Sequence, residues 1–400
     1  MSITSKLRKL TSYRFQVPWA VPAWGCGEFR ATLFSTLSLA VRRGRKVPQF
    51  ADSVRRLLGR QFAIPVGRGR DAIIVALRSL GIQPTDEVVL PSYICRSVMD
   101  AVTQAGGLPV FADVDESLHV TVRTVECVLT PRTRCVIVSH LFGNTAPVDE
   151  IEALLRGRGI PLIDDAAQGF GAQRAGRRIG AFGQFGVVCG GPGKPLAAAA
   201  GGLLLMDDPE LYRNALSVAL PLESSLATLQ RTLSFWFWRR FRRNTLILQV
   251  ILSRFSATSE APPTVPRGMA NLEAALLCEQ LDRIEVNKRQ RTQNGRALLR
   301  ILEPLRWKML SDFGQDSIPL RLVLLLPESG PDMTAALSAL AQAGIECQAG
   351  YSPCHWNVAD RGQHVLPRTE ALWNRVLCLP IEGQLKNPQP LMNTVQSWLR

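Results

Sequence analysis

Through the middle of the chain, short runs of aliphatic and β-branched residues alternate with stretches in which apolar positions recur every three or four residues. Glu87 to Ile94, Leu108 to Val114, Cys135 to Leu141, Pro161 to Asp165, Phe185 to Cys189 and Gly202 to Met206 have the length and composition of strands. Ala72 to Leu80, closed by Gly81, Ser97 to Ala105, Val122 to Leu129 and Val148 to Arg156 have the helical period. Such alternation predicts an α/β domain, a largely parallel sheet with helices on both faces, in which ligands collect beyond the carboxyl ends of the strands. Farther on, Met269 to Gln290 reads as one long linking helix. Ser317 to Leu326 and Val376 to Pro380 read as strands, and Met333 to Ala343, stopped by Gly344, as a helix of a smaller α/β domain. The expected organisation is a basic, partly helical segment (1–64), a large-domain core (65–206), a basic aromatic helical insertion (207–265), and a linking helix with the small domain (266–400).

Four hundred residues, 46% of them hydrophobic, are enough to bury a large core. Nine cysteines are dispersed without a Cys-x-x-Cys spacing, beside only four histidines, so reduced thiols in a cytoplasmic protein are expected rather than disulfides or a metal site. The first ten residues are polar and basic with no apolar stretch after them, and no apolar run reaches about 18 residues. Neither a secretory signal nor a spanning helix is expected. The net charge of +14 is unevenly placed: residues 1–70 carry +12 and residues 224–259 carry +6, leaving −4 for the rest. No nucleic-acid recognition motif accompanies the two basic segments.

The strand ends carry the chemistry. Pro161 to Asp165 closes on the carboxylates Asp164 and Asp165, with Gln168 three residues on, and Cys135 to Leu141 carries His140 near its end. Phe185 to Cys189 leads into Gly190-Gly191-Pro192-Gly193-Lys194-Pro195, and no Ser or Thr follows the lysine as a nucleotide P-loop would require. A lysine coupled to a carboxylate is what pyridoxal phosphate (PLP) needs. The amine holds it as a Schiff base, and the anion keeps its ring nitrogen protonated so that the ring accepts electrons. Upstream, Gly67-Arg68-Gly69-Arg70-Asp71 opens a helix, whose free N–H groups and positive dipole end seat a phosphate, with Arg70 as a charged contact. Singly, each feature has a plainer reading: a surface lysine, a solvated arginine, a packed histidine. Their occurrence in one order within one domain favours the cofactor.

With these stretches in order, residues 65–206 resemble the large domain of the DegT-like sugar aminotransferases, PLP enzymes of fold type I that aminate nucleotide-linked keto-sugars. The matching stretches include Gly69-Arg70-Asp71-Ala72-Ile73, Leu90-Pro91-Ser92-Tyr93, His140-Leu141-Phe142-Gly143, Asp164-Asp165-Ala166-Ala167-Gln168 and Gly193-Lys194-Pro195-Leu196. A weaker match continues through Asn271-Leu272-Glu273 and Tyr351-Ser352-Pro353-Cys354-His355. The resemblance implies a large domain with a mostly parallel seven-stranded sheet, a smaller C-terminal α/β domain, and an active site between them and across a homodimer interface. It implies Lys194 as the Schiff-base lysine and proton carrier, Asp165 as the partner of the ring nitrogen, and Gln168 against the ring's 3-oxygen. Gly69 and Arg70 fall at the phosphate, His140 near Asp165, and Tyr351 and His355 on the substrate side, with Trp356 in the core.

Three positions depart from the family pattern. Cys189 stands at a phosphate-binding Ser, Cys95 at a stacking aromatic for which Tyr93 is the nearby substitute, and Pro266 at an Asn donated by the neighbouring subunit. The implied reaction carries an amino group from an amino acid, by analogy glutamate, to a nucleotide- or lipid-linked keto-sugar in polysaccharide or glycoconjugate biosynthesis. The alternatives are a non-catalytic, membrane-apposed scaffold and another PLP reaction on a sugar, dehydration or epimerisation. Lys194 itself argues against the related dehydratases, which carry histidine there.

Leu233 to Arg243 with the run Leu246 to Leu252, and Phe29 to Val41 with Arg42-Arg43-Gly44-Arg45-Lys46, mix rings, aliphatics and arginines. Helices lying on an anionic membrane at its cytoplasmic face have that mixture. A helical hairpin packed on another subunit is the competing reading.

Overall fold

The computed structural model describes residues 15–19, 24–241, 265–358 and 365–399, with the backbone alone over 238–241. Its centre is a seven-stranded sheet ordered β1-β9-β8-β5-β4-β2-β3. The strands are β1 Phe62–Val66, β2 Glu87–Pro91, β3 Leu108–Ala112, β4 Thr133–Ser139, β5 Leu162–Asp165, β8 Phe185–Cys189 and β9 Gly202–Met206, with a small hairpin of β6 Gln173–Arg174 and β7 Arg177–Arg178 set apart from it. Strands β2, β3, β4, β5 and β8 pair parallel, and β9 runs antiparallel between β8 and β1.

Central strands covered on both sides need apolar residues on both faces, and Val136, Ile137, Val138, Ile163 and Val187 are fully buried. Because successive side chains point to opposite faces, Val136, Val138, Leu162 and Val188 join one core with Phe50, Val54, Ile151 and Leu276. Cys135, Ile137, Ile163 and Val187 join a second core with Ile73, Leu77, Val98 and Val102. Helix Gly69–Ser79 lies in this second core with an almost wholly apolar run, and helix Arg96–Ala105 beside it ends on Gly106 at φ 97°, where a side chain would be strained.

The small domain is an antiparallel sheet, β10 Lys308–Met309, β11 Arg321–Leu325, β13 Val376–Pro380 and β12 Gln348–Ala349 in that spatial order, covered by helices Met333–Gln342 and Gln389–Trp398. Three details differ from the sequence expectations. Strand β1 extends the large sheet from within the supposed N-terminal segment, so a boundary at 65 would cut it. The strand expected to reach Ile94 stops at Pro91, because Ser92 to Cys95 turn into the helix that follows. The linking helix is two helices, Asn271–Asp282 and Ile284–Leu302, broken at Arg283. Within the insertion, helices Pro209–Leu216 and Ser225–Phe241 are present, while the run Leu246 to Leu252 lies outside the described residues. Among the described residues no helix is long and apolar enough to cross a membrane.

Candidate active site

A cavity of about 250 Å³ opens where the carboxyl ends of β4, β5 and β8 meet the small domain. Gly69, Arg70, Cys95, His140, Asp165, Gln168, Cys189, Lys194 and Tyr351 line it, so the structure brings most of the sequence-predicted residues together.

Asp164 and Asp165 are adjacent on a strand, so they point to opposite faces. Asp165 faces the cavity, where it accepts hydrogen bonds from Ser139 Oγ at 3.0 Å and the Ala167 N–H at 3.1 Å. Asp164 turns the other way and accepts from the Gly180 and Phe182 N–H groups. His140 belongs to Asp164: its Nε2 lies 2.9 Å from Asp164 Oδ1, while Nδ1 accepts the Ala146 N–H at 3.0 Å. With Nδ1 accepting, Nε2 carries the proton and donates it. The expected association of His140 with Asp165 is therefore corrected, since its polar atoms serve the buried neighbour.

Lys194 reaches the cavity from a loop whose Gly193 has φ 67° and lies against Arg321; a Cβ there would meet Arg321 Nη2 at 2.0 Å. Lys194 Nζ donates to Cys189 Sγ at 2.9 Å. Burial pushes the Cys189 thiol up. Burial alone would neutralise the Lys194 amine, but the Cys189 sulfur and the Asp165 carboxylate outweigh it, and its pKa is raised. Asp165 is raised too, because burial outweighs Ala167, Lys194 and Ser139, which pull it down.

Gly69 begins a helix directly against Cys189, so that a Cβ on it would meet the sulfur at 2.6 Å. Arg70 follows, and its buried Nε has no hydrogen-bond partner among the described residues. An orphaned cationic donor beside a helix N-terminus suits an anion there. Gln168 has both ends of its amide engaged: Nε2 donates to Tyr351 Oη at 3.0 Å, and Oε1 accepts the Phe142 N–H at 3.0 Å. That second bond braces Phe142, a non-glycine residue at φ 57°.

Two predicted residues stand behind the cavity instead. Tyr93 is fully buried with its hydroxyl accepting the Tyr351 N–H, so it supports Tyr351 rather than lining the site. His355 is buried between Ser92 Oγ at 2.6 Å and Glu370 Oε1 at 3.1 Å, and Trp356 packs on Trp373.

Sequence reasoning missed the small-domain wall. Arg321 opens β11 and lines the cavity, its guanidinium 4.1 Å over the Trp19 ring, with Nη1 donating to Leu320 O. Behind it Arg291 donates to Glu382 Oε1 at 3.1 Å and to Lys194 O at 3.1 Å, while Arg321 is 4.0 Å from the same carboxylate. Two guanidinium groups thus share one carboxylate, which leaves positive charge beside Lys194. The only signal in sequence was an arginine heading the apolar run Leu322 to Leu326.

His119 supports the Leu141–Gly143 turn, since its Nε2 accepts the Leu141 N–H at 3.0 Å. Burial lowers its pKa from 6.5 to about 4, so it folds neutral. A base depressed in the fold contributes stability above the unfolded pKa and loses it as pH falls toward the folded one. Stability to urea is expected to drop by up to about 3 kcal/mol between pH 6.5 and 4 on this account. His119→Gln should flatten that limb relative to wild type; identical pH profiles would contradict it.

Comparison with known proteins agrees with this geometry. Residues 29–395 match the model of the DegT/DnrJ/EryC1/StrS aminotransferase family. Over 162 residues the chain is 39% identical to the UDP-N-acetyl-3-dehydro-α-D-glucosamine 3-aminotransferase of Acidithiobacillus ferrooxidans; the match spans 40% of this chain and 44% of that protein's length. The aminotransferase TlmJ of Streptoalloteichus hindustanus superposes with a TM-score of 0.77 at 25% identity, covering 96% of this chain and 99% of that one. DesV of S. venezuelae, solved with a ketimine intermediate, gives 0.72 at 26% identity over 96% of this chain and 99% of that one. The chain belongs to the DegT/DnrJ/EryC1/StrS aminotransferase family.

Proposed function

We propose that the protein is a PLP-dependent aminotransferase that moves an amino group from an amino-acid donor, glutamate by analogy, to a keto-sugar carried on a nucleotide or lipid diphosphate. The observation that carries this reading is the convergence of Lys194 and Asp165 on one cavity beside the unpartnered Arg70 Nε. The residues fit the cofactor: the Gly69 helix start, Arg70 and Cys189 would hold its phosphate, and Asp165, oriented by Ser139, would hold a proton on its ring nitrogen. Bound there, PLP supplies the electron sink of the reaction.

The chain's own groups do the rest. Lys194 Nζ would anchor the cofactor and carry the proton, taking it from the donor's α-carbon as general base and delivering it on the cofactor side as general acid. Its raised pKa matches a charged resting amine, which would have to release a proton before it could anchor the cofactor. Arg321 receives the donor's carboxylate, and Tyr351 closes the opposite wall through Gln168. We place the protein in the cytoplasm as a homodimer, serving polysaccharide or glycoconjugate biosynthesis.

Protein purified with added PLP should show a visible absorption band that borohydride abolishes and that glutamate shifts. A colourless protein would instead favour the scaffold reading. Arg321→Ala is expected to raise KM for the donor by about 10- to 100-fold, the worth of a charge-assisted hydrogen bond, with the keto-sugar KM little changed. Equal effects on both substrates would remove Arg321 from the donor side.

A further inference from the structure

One helix of this fold is inside out. Helix Cys26–Leu37 buries Glu28 and Ser35 and turns Phe29, Leu33, Phe34 and Leu37 to solvent, with Phe34 74% and Leu37 75% exposed. Glu28 is fully enclosed, accepting hydrogen bonds from Gln280 Nε2 and the Gly25 N–H. Helix Ser225–Phe241 buries Phe235 with Thr228 and Thr232 and packs Leu229 and Trp236 on the same core, yet leaves Leu226, Leu233 and Phe237 exposed beside the first helix. The two segments meet where Trp24 packs edge-on against Phe235. Isolated exposed apolar residues are ordinary, but a helix that hides its polar side and presents its apolar side is not.

The end of the first helix is more unusual still. The Leu39 N–H donates to Thr36 O and the Ala40 N–H to Ser35 O, a helix-terminating turn whose left-handed position normally holds glycine. Here it holds Leu39, at φ 56° and 89% exposed. The strain costs on the order of 1 kcal/mol, and no burial among the described residues offsets it. Arg42, Arg43 and Arg45 follow at once, all exposed, and with Arg30 they form no ion pair among the described residues.

We propose that this face is a docking surface for an anionic lipid bilayer, with Phe34, Leu37 and Leu39 inserted at headgroup depth and Arg42, Arg43 and Arg45 on the lipid phosphates. Charge decides between occupants. A second copy on this face would double its unneutralised positive charge, whereas anionic headgroups neutralise it while the acyl boundary covers the apolar side chains. The inference stands on these helices alone and does not depend on the reaction.

The test is co-sedimentation of the full chain with phosphatidylcholine vesicles and with vesicles containing one quarter phosphatidylglycerol, alongside sedimentation velocity without lipid. Binding is expected only to the anionic vesicles, and it should fall steeply from 50 to 500 mM salt. The triple variant R42Q/R43Q/R45Q should weaken it on the order of 100-fold. F34S/L37S/L39S should abolish it while leaving the sedimentation coefficient and the circular dichroism unchanged. Failure of the wild type to bind anionic vesicles overturns the proposal. Dissociation of the serine variant to a smaller species overturns it in favour of a second copy.

Discussion

Lys194→Ala is expected to lower amino transfer by at least about 10⁴-fold, beyond the usual range for a general acid–base group alone, because the covalent anchor is lost with it. The same variant should carry no borohydride-reducible link, although Arg70, the Gly69 helix start and Asp165 still offer the phosphate and ring nitrogen their contacts. Cofactor should therefore still bind, but leave on dialysis. Removing the amine also frees Cys189 Sγ of its 2.9 Å hydrogen bond inside a buried site. Absorbance after gel filtration, with single-turnover amino transfer from glutamate, reads both effects. Activity within tenfold of wild type would displace Lys194 from the centre of the reaction.

How far the site was legible depended on the range of the interactions. Asp165 ends a strand, Gly69 starts a helix, and Gln168 and Lys194 lie on the loops that leave strands, where a period change in the sequence marks the place, and the cavity gathers them. The partner of His140 was not legible, because Asp164 and Asp165 are neighbours in sequence and only the pleat sends them to opposite faces. Arg321 could not be placed either. Its position beside Lys194 depends on the antiparallel pairing of Arg321 with Pro380 and on the docking of one domain against another, neither of which leaves a local pattern.

The fold divides along the same line. The central parallel strands of the large sheet bury both faces and read as largely apolar runs. Strand β1, by contrast, contains Pro65 and sits at the sheet edge, so its sequence resembles a linker. The break at Arg283 was hidden because no Gly or Pro stands at it. The departures at Cys189 and Cys95 were legible as substitutions, and the cavity holds both side chains. Cys189 is a poorer donor to a phosphate than serine, yet it is placed to accept from Lys194. What sequence counted as a loss at the phosphate is in the folded site a contact to the lysine.

The largest stability effect is expected at Glu273, a residue that touches no substrate. Its carboxylate is buried, accepting from Arg267 Nη2 at 3.0 Å, Arg231 Nη2 at 2.8 Å and the Ala270 N–H at 2.9 Å at the start of helix Asn271–Asp282. Arg267 in turn donates to Gly67 O at 3.0 Å, and the Gly67 N–H donates back to Arg267 O, so the carboxylate fixes the turn that leads into Gly69. Glu273→Ala would leave two guanidinium groups sharing only Glu223, which is less buried. Breaking a buried pair by deleting one partner costs roughly 3–5 kcal/mol, and urea unfolding should show a loss of that size. Glu273→Gln keeps the shape and two acceptor lone pairs and should lose about half as much. Because the same carboxylate braces the Gly67 turn, Glu273→Gln should also weaken PLP binding, whereas a purely structural helix cap would leave the dissociation constant where it was. A loss under about 1 kcal/mol for Glu273→Ala would mean that water reaches the two arginines and that the turn holds without them.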